Sequence, residues 1–309
     1  MDKLLNEHCQ VTVVDNFDPY YEQTIKERNI RKHLNNSGYK LLRLDICNCK
    51  ALYENLNESY DVIVHLAAKA GVRPSILDPV GYQKVNVQGT QNLLEFAKDK
   101  KIPQFVFASS SSVYGVNPNV PWRERDPVLL PISPYAATKV SGELLGHVYS
   151  QLHGIRFLSL RFFTVYGPRQ RPDLAIHKFT RLISQGKEVP FYGDGSSSRD
   201  YTYIDDIIKG ISAAITYDQS QYEIVNLGNS RTITLRELMT IIEEELNLKA
   251  NLKLMPPQTG DVFQTFADLE KAGKLLNYQP TINIRDGVKS FIQWFHADQF
   301  SIAKAGDNT

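Results

Sequence analysis

The stretch Asp61-Val-Ile-Val-His-Leu66, followed by the small residues Ala67 and Ala68, decides the fold class of this 309-residue chain. An apolar run of this length, rich in Val and Ile, is typical of a buried strand in a parallel sheet. Runs of the same kind recur at residues 10–14, 40–44, 104–107 and 156–161. Because helical stretches separate these runs, the sequence predicts an α/β fold with a doubly wound, parallel, Rossmann-type sheet.

A change in composition and in the length of the predicted helices and strands divides the chain into two predicted domains. A helix predicted over residues 133–153 begins with an N-cap serine and a proline, Ser133-Pro134. After about Gly167, loops rich in Pro, Gly and Ser alternate with short helices and strands. We therefore predict a doubly wound α/β domain over residues 1–167 and a smaller, mixed α/β domain over residues 168–309, with some exchange of chain between them.

Composition excludes several classes of function. Lys and Arg number 35 against 34 Asp and Glu, which leaves no bulk charge to hold nucleic acid or an anionic membrane. No apolar run approaches the roughly 20 residues of a membrane span, and residues 1–10 lack the apolar centre of a signal peptide. The three cysteines, Cys9, Cys47 and Cys49, form neither a disulfide framework nor a metal-ligand spacing, so no metal is predicted. The composition predicts a cytoplasmic enzyme or binding domain.

The segment Tyr135-Ala-Ala-Thr-Lys139 carries the strongest chemical signal. On a helix, positions i and i+4 share one face, so the phenol and the ammonium reach the same site. The ammonium stabilises the phenolate and lowers the tyrosine pKa from about 10, which makes Tyr135 a usable base near neutral pH. Taken alone, this spacing is far more typical of an exposed side-chain pair than of a catalytic site.

A run of hydroxyl side chains, Ala108-Ser-Ser-Ser-Ser-Val-Tyr-Gly115, directly follows the predicted strand that ends at Phe107. The carboxyl ends of parallel strands are where α/β folds bind ligands. A serine run is by itself typical of a solvated loop, and the helix that carries Tyr135 is what favours a site here.

Four further segments, combined with these two, resemble a known family. They are His65-Leu-Ala-Ala68, Asn86-Val-Gln-Gly-Thr90, Arg161-Phe-Phe-Thr-Val-Tyr-Gly-Pro168 and Gly193-Asp-Gly-Ser-Ser-Ser-Arg-Asp-Tyr201. Almost the whole chain resembles the extended short-chain dehydrogenase/reductases of the NAD-dependent epimerase/dehydratase family, which act on nucleotide sugars. Within that family it is most similar to the UDP-glucuronate 4-epimerases. The segments that indicate this are Asp15-Asn-Phe17, Tyr20-Tyr21, Ala70-Gly-Val-Arg73, Pro168-Arg-Gln-Arg-Pro-Asp173 and Ser198-Arg-Asp-Tyr-Thr-Tyr-Ile-Asp-Asp206.

The resemblance implies roles for individual residues on the cofactor side. Tyr135 is implied as the catalytic base, Lys139 as its activator and ribose anchor, and Ser110 as the hydroxyl that shares the sugar 4-OH. An acid at the end of the second strand of such a fold, here Asp15, accepts from both ribose hydroxyls and favours NAD over a 2′-phosphorylated cofactor. The implied NAD-binding residues are Asp15, Asn16, Asp45, Ile46, Leu66, Ala67, Ala68, Asn86, Tyr135, Lys139 and Phe162.

The resemblance also implies the substrate side. Arg199 corresponds to a contact with the UDP phosphates, for which a guanidinium fork is suited, and Asp261 to the residue that holds the uridine ribose. Thr164 and Arg171 correspond to the sugar site, although Arg171 is as readily a surface charge in a polar loop. The implied substrate-binding residues are Ser111, Ser112, Thr164, Arg171, Tyr192, Arg199 and Asp261.

The two residues after Ser110 distinguish reaction types within the resemblance. Dehydratases and decarboxylases of this superfamily carry acids there, whereas this chain has Ser111 and Ser112, and neutral donors suit a carboxylate ligand. The expected reaction is therefore C4 epimerisation of a UDP-sugar, UDP-glucuronate to UDP-galacturonate, by transient oxidation with bound NAD. A dehydratase or decarboxylase is the further alternative. The resemblance also implies a homodimer, formed through the helices around residues 85–101 and 134–152.

One family feature does not occur in the printed sequence. The family opens with a strand and a Gly-x-x-Gly-x-x-Gly turn that cradles the pyrophosphate, but the first glycine here is Gly38 and only 14 residues precede Asp15. We therefore expect an N-terminally truncated sheet in which the strands ending at Asp15 and His65 lack a shared neighbour. For the chain as printed we also expect weak NAD binding. The alternative function is an impaired remnant that binds UDP-sugar or acts as an interaction protein.

Overall fold

The protein, seen in a computed structural model, folds into two compact units that interleave along the chain. The structure describes residues 1–127, 130–256 and 262–306, and side chains up to residue 299. The first unit comprises residues 1–116, 126–161 and 211–225. The second comprises residues 117–125, 162–210 and 226–309.

Alternating strands and helices run through the first half of the chain. They are α1 (Asp2–Asn6), β1 (Val11–Val14), α2 (Gln23–Ile30), β2 (Tyr39–Leu42), α3 (Cys49–Asn55), β3 (Val62–His65), α4 (Val72–Leu77), α5 (Pro79–Gln83), α6 (Gly89–Asp99), β4 (Gln104–Ser110), α7 (Pro134–His153) and β5 (Arg156–Phe162). All five predicted strands are present, with ends within three residues of those predicted. The helix predicted over residues 85–101 differs, because a π-helical turn, Lys84–Gln88, precedes α6.

Shorter elements make up the second half of the chain. They are β6 (Thr164–Tyr166), α8 (Ala175–Ser184), β7 (Glu188–Tyr192), β8 (Ser198–Tyr203), α9 (Ile204–Ile215), β9 (Tyr222–Leu227), β10 (Thr232–Thr234), α10 (Leu235–Leu246), β11 (Asn251–Met255), α11 (Glu270–Leu276) and α12 (Ile284–Gly306).

The strands of the first unit lie in two separate sheets. β1 pairs with β2 in parallel, with Val11 opposite Tyr39. The second sheet has the order β3-β4-β5-β9, and β3 is parallel to β4, with Val62 opposite Gln104. The parallel α/β architecture is therefore confirmed. Within the described residues, no strand pairs with both β1 and β3.

Aromatic and aliphatic side chains from helices and strands form the core of the first unit. Phe105, Phe107 and Phe157 are fully buried, and the Phe157 ring packs against each of the other two. A Cβ on Gly142 or Gly146 of α7 would come within about 2.3 Å of the Phe107 or Phe157 ring. These glycines let α7 lie close against the sheet, and this contact fixes the helix that carries Tyr135.

The second unit has a three-stranded sheet and a two-stranded one. β8 lies between β10, which is antiparallel to it, and β6, which is parallel to it. β11 pairs with β7 in parallel. α8, α10 and α12 contribute apolar side chains to a core of their own, which includes Ile176, Leu238 and Phe291. No helix in the described part of the chain is long and apolar enough to cross a membrane.

Candidate active site

The end of β4 brings the serine run into a defined conformation. β4 is buried along its whole length and extends through Ser110, three residues beyond the predicted strand. Ser110 begins a 3₁₀ turn, Ser111–Tyr114, and its hydroxyl oxygen accepts a hydrogen bond from Ser112 N at 3.2 Å. The Ser110 hydroxyl donates to Ser112 Oγ at 3.0 Å. The hydroxyls of residues 110 and 112 therefore form one cluster, and the serine run is not a solvated loop.

α7 places Tyr135 and Lys139 on one face, as the i, i+4 spacing predicts. The helix starts where the sequence indicates, since Ser133 is its N-cap and accepts from Ala136 N at 3.1 Å. Lys139 is only 4% exposed, and its Nζ lies 5.8 Å from the centroid of the Tyr135 ring. The same ammonium donates to the carbonyl oxygen of Ala108, on β4, at 2.6 Å.

Burial is the dominant influence on the Lys139 ammonium. Desolvation lowers the pKa of Lys139 to about 8, and the carboxylate of Glu143, one helical turn further along, partly opposes that shift. A cation held in a dry environment next to a phenol stabilises the phenolate more strongly than a cation in water does. The arrangement therefore suits proton transfer at Tyr135.

Asn86 ties the Tyr135 helix to the loop that follows β3. Its Oδ1 accepts from Lys69 N at 2.8 Å, while its Nδ2 donates to Lys69 O at 2.9 Å and to Thr138 Oγ1 at 3.0 Å. The Thr138 hydroxyl in turn donates to the carbonyl oxygen of Tyr135 at 2.7 Å. Both N–H donors of the buried Asn86 amide are thus engaged by the protein. The residue lies in the π-helical turn, a feature frequently found at functional sites.

Residues that follow β1 and β2 lie together, because those strands are parallel neighbours. Asn16 Nδ2 donates to Asp45 Oδ2 at 3.3 Å, and the carboxylate of Asp15 accepts from Phe17 N at 2.7 Å. Burial raises the pKa of Asp45, but hydrogen bonds from Cys47 and Asn16 outweigh it and hold that pKa below its usual value. Ile46 beside them is buried.

The loop after β3 presents the other predicted cofactor-side residues. Leu66 is 54% exposed although it directly follows a strand, Ala67 is also exposed, and Ala68 is half-buried. Phe162, at the end of β5, is half-buried as well. All four side chains are apolar, so any contact that they make with a cofactor is a van der Waals contact and not a polar one.

The predicted substrate residues in the second unit are engaged by their own chain. The guanidinium of Arg171 makes a bidentate pair with Asp173, with Nε–Oδ1 at 3.0 Å and Nη2–Oδ2 at 2.9 Å. Arg199, on β8, donates from Nη1 to the carbonyl oxygens of Ser198 and Phe263. Thr164 on β6 and Tyr192 at the end of β7 are half-buried. Asp261 lies outside the described residues.

Sequence reasoning missed two buried carboxylates that organise these regions. Glu143 accepts hydrogen bonds from Arg161 and Ser109. Its position four residues after Lys139, on the same helix face, was the sequence feature that could have identified it. Asp200, fully buried in the second unit, accepts from Asn229 N and Ser230 N. Desolvation raises the pKa of Asp200 to about 6. Within the described part of the chain, no group of three or more His, Cys, Asp or Glu side chains is arranged to hold a metal ion.

Comparison with known proteins identifies the family. The sequence model of the NAD dependent epimerase/dehydratase family matches residues 1–228, and the chain belongs to that family. It is 47% identical over 290 residues to an uncharacterised protein of Methanocaldococcus jannaschii, covering 94% of this chain and 89% of the relative. It is 40% identical over 295 residues to a UDP-glucuronate 4-epimerase of Thermodesulfobacterium geofontis, covering 94% of this chain and 90% of the relative.

A solved structure agrees with these relatives. The UDP-glucuronic acid 4-epimerase of Bacillus cereus, crystallised with UDP-glucuronic acid and NAD, superposes with a TM-score of 0.87 at 36% identity. The match covers 95% of this chain and 93% of that one. The chain is therefore an extended short-chain dehydrogenase/reductase of the epimerase type, and the Rossmann-type fold class predicted from the sequence is confirmed.

Proposed function

We propose that this protein epimerises a UDP-sugar at C4, using NAD, with Tyr135 as base, Lys139 as its activator and Ser110 as the partner hydroxyl. The observation that carries the proposal is the buried Lys139 ammonium, which is held by the Ala108 carbonyl 5.8 Å from the centroid of the Tyr135 ring. The two epimerases found in the comparison support the reaction type.

The residues of the first unit fit the proposed cofactor. Asp15, an exposed acid at the end of a parallel strand, suits a ribose diol, and Asn16 and Asp45 lie beside it. The exposed Leu66 and Ala67 offer an apolar surface, and the Lys139 ammonium suits a second ribose. When bound, NAD supplies the acceptor and donor of the hydride at carbon 4 of the sugar.

The proton chemistry belongs to the protein. Tyr135, as phenolate, accepts the proton of the 4-hydroxyl and later returns it, while the fixed charge of Lys139 stabilises the phenolate form. Ser110 shares a hydrogen bond with that hydroxyl, and its own hydroxyl is oriented by Ser112. Asn86 holds the first turn of α7 through Thr138, so the phenol is presented from a rigid helix.

We further propose that the substrate is UDP-glucuronate. Ser111 and Ser112 are neutral donors that suit a sugar carboxylate, and the guanidinium of Arg171 already binds a carboxylate, that of Asp173, in bidentate geometry. Thr164, Tyr192 and Arg199 are the further proposed contacts to the UDP-sugar, with Asp261 for the uridine ribose.

Two assays on the purified protein test these proposals. Nucleotide released on denaturation is separated by chromatography. NAD in stoichiometric amount would support the proposed epimerase, whereas UDP binding without NAD would favour the alternative of a non-catalytic UDP-sugar binder. UDP-glucuronate, UDP-glucose and UDP-N-acetylglucosamine are then offered side by side. Turnover of UDP-glucuronate to UDP-galacturonate is expected, and equal turnover of the neutral sugars would contradict the substrate assignment.

The proposed homodimer is supported by an apolar stripe on α7. Leu144, Val148 and Leu152 recur every four residues and therefore share one face of the helix, yet they are 64%, 45% and 71% exposed. Leucines this exposed on a regular helix face indicate an association surface. Leu144→Glu is expected to convert a dimer to a monomer in sedimentation, whereas Leu77→Glu, at a position that is 88% exposed on α4, serves as the control and leaves the mass unchanged. A wild-type mass equal to one chain would contradict the proposal.

A further inference from the structure

A buried ion pair lies behind the end of β4. Glu143 and Arg161 are 3% and 1% exposed, with Nε–Oε1 at 2.9 Å and Nη2–Oε2 at 2.8 Å. Burial opposes the guanidinium charge, but the hydrogen bonds and charge of Glu143 outweigh it and raise the pKa of Arg161. The pair is a buried, bidentate contact between α7 and β5.

Two serines donate to the same oxygen of this pair. Ser109 Oγ, on β4, lies 2.6 Å from Glu143 Oε1, and Ser159 Oγ, on β5, lies 3.3 Å from that oxygen. Both serines are buried, at 2% and 0% exposure. The two hydroxyls thus share one acceptor but sit on different strands, and only Ser109 is next to the proposed catalytic Ser110.

Two successive turns of α7 hold two successive residues of β4. Lys139 binds the carbonyl oxygen of Ala108, and Glu143 binds the hydroxyl of Ser109. Side chains alternate along a strand, so Ser110 faces the side of the sheet opposite to Ser109. A shift of Ser109 would therefore move both the carbonyl that holds the ammonium and the hydroxyl of Ser110.

We propose that Ser109 is a positioning residue for the reaction: through its hydrogen bond to Glu143 it locks the end of β4 against α7. That lock sets where the Ala108 carbonyl holds the Lys139 ammonium and where Ser110 presents its hydroxyl. The inference rests on the proposed function, in which Tyr135, Lys139 and Ser110 carry the chemistry. Ser109 acts through Glu143 and the backbone of β4 and not by contact with the reacting hydroxyl.

Several ionisable groups face the Lys139 ammonium, whose position the Ser109 hydrogen bond is proposed to set. Tyr135 and Glu143 face it from α7, and His65 faces it from β3, where the charge of Lys139 adds to burial in lowering the histidine pKa. Arg161 on β5 neutralises Glu143, and Tyr82 of α5 packs edge-on against the Tyr135 ring at 6.3 Å. Of these groups, Tyr135 is the proposed base, and the titration of its phenol is therefore chosen to report a displaced ammonium.

The experiment compares Ser109→Ala with Ser159→Ala, since both variants remove one hydroxyl from the same carboxylate oxygen. For Ser109→Ala we expect kcat to fall about tenfold or more with KM nearly unchanged, because small misplacements of catalytic groups are costly. For Ser159→Ala we expect kcat within about twofold of wild type, since no catalytic group adjoins it. Ser109→Cys keeps a weak donor of similar size, so its kcat is expected to lie between those of wild type and Ser109→Ala. Equal kcat in the two alanine variants would overturn the inference.

A second readout does not depend on turnover. The ultraviolet titration of the Tyr135 phenol, taken as wild type minus Tyr135→Phe, is compared with the same difference in the Ser109→Ala background. A higher Tyr135 pKa in that background is expected, because the ammonium is no longer held beside the phenol; an unchanged pKa would overturn the inference. If wild type does not epimerise any UDP-sugar, the proposed function fails, and this titration still decides the role of Ser109.

Discussion

Two arginine–carboxylate pairs, one in each unit, have nearly the same geometry and very different surroundings. Arg161–Glu143 in the first unit and Arg171–Asp173 in the second are both bidentate, with N–O distances between 2.8 and 3.0 Å. The side chains of the first pair are 1% and 4% exposed, and those of the second 26% and 36%. Burial makes the first pair a permanent part of the fold, whereas water can replace either partner of the second. Arg161 and Glu143 therefore stay paired, whereas Arg171 and Asp173 in the second unit are able to exchange partners.

The largest expected difference is in stability. Arg161→Met leaves the Glu143 carboxylate buried without its cation and is expected to lower the free energy of unfolding by about 3–5 kcal/mol. Arg171→Met removes a partly exposed pair and is expected to cost about 0–1 kcal/mol. Chemical denaturation followed by circular dichroism measures both. Adding Glu143→Leu to Arg161→Met is expected to recover much of the lost stability. If the two arginine variants lose the same free energy of unfolding, the proposed difference between the two pairs is wrong.

The next prediction concerns the rate. Tyr135→Phe removes the proposed base and is expected to lower kcat by at least ~10²-fold with little change in the free energy of unfolding. Tyr82→Phe is the matched control, since its ring packs on Tyr135 and its hydroxyl donates to Ala70 O at 3.1 Å, outside the proposed proton path. We expect a loss of less than about tenfold for this control, because it removes no proton-transfer group. Retained epimerisation in Tyr135→Phe would show that another group is the base.

Apolar periodicity predicted the strands and helices of the first unit, because burial of one face determines both the apolar pattern and the element that carries it. It could not predict the π-helical turn, since Asn86 is fixed there by hydrogen bonds to Lys69 and Thr138, which are distant in sequence. Nor could the serine run be divided between strand and turn, because that depends on which strand pairs with the backbone at Ser109 and Ser110.

The sequence predicted those parts of the candidate site that follow from regular secondary structure. The face shared by Tyr135 and Lys139 follows from helix geometry alone, and the fold brings Asn16 to Asp45 because their strands are parallel neighbours. The pairing of Arg171 with Asp173 was not predicted, although the two residues are two positions apart. The sequence alone does not determine whether the side chain of a loop arginine pairs with a neighbouring acid or binds a ligand. The roles assigned to individual site residues stay predictions.

The third prediction compares two histidines, one in each unit. Burial lowers the pKa of His65 to about 3, with the charge of Lys139 contributing. His65 stays neutral in the fold while the unfolded chain takes up a proton below about pH 6.5, so the stability it contributes is lost as pH falls from 6.5 toward 3. Between pH 7.5 and pH 5 that loss is about 2 kcal/mol. For His177 burial also lowers the pKa, but a hydrogen bond to Gln170 opposes the shift, so its loss is expected to be smaller.

Urea denaturation at a series of pH values measures this difference. His65→Phe keeps an aromatic ring and removes the titrating group, so the fall in stability with acidification is expected to become shallower by about 1.4 kcal/mol per pH unit at most. His177→Phe is the matched variant in the second unit and is expected to change the slope less. An unchanged slope in His65→Phe would mean that His65 is protonated in the folded protein.

The smallest expected effect is on substrate selectivity, and it tests the exchange of partners in the second unit directly. In the proposed function the carboxylate of UDP-glucuronate takes the place of Asp173 on the Arg171 guanidinium. Arg171→Gln is expected to lower the ratio of kcat/KM for UDP-glucuronate to that for UDP-glucose by about tenfold, the worth of one partly solvated charged contact. Asp173→Asn removes the competing carboxylate while leaving the arginine in place, so the same ratio is expected to rise a few-fold. If the ratio falls in both variants, Asp173 orients Arg171 and does not compete with the substrate. If Arg171→Gln lowers turnover of both sugars equally, Arg171 does not bind the sugar carboxylate.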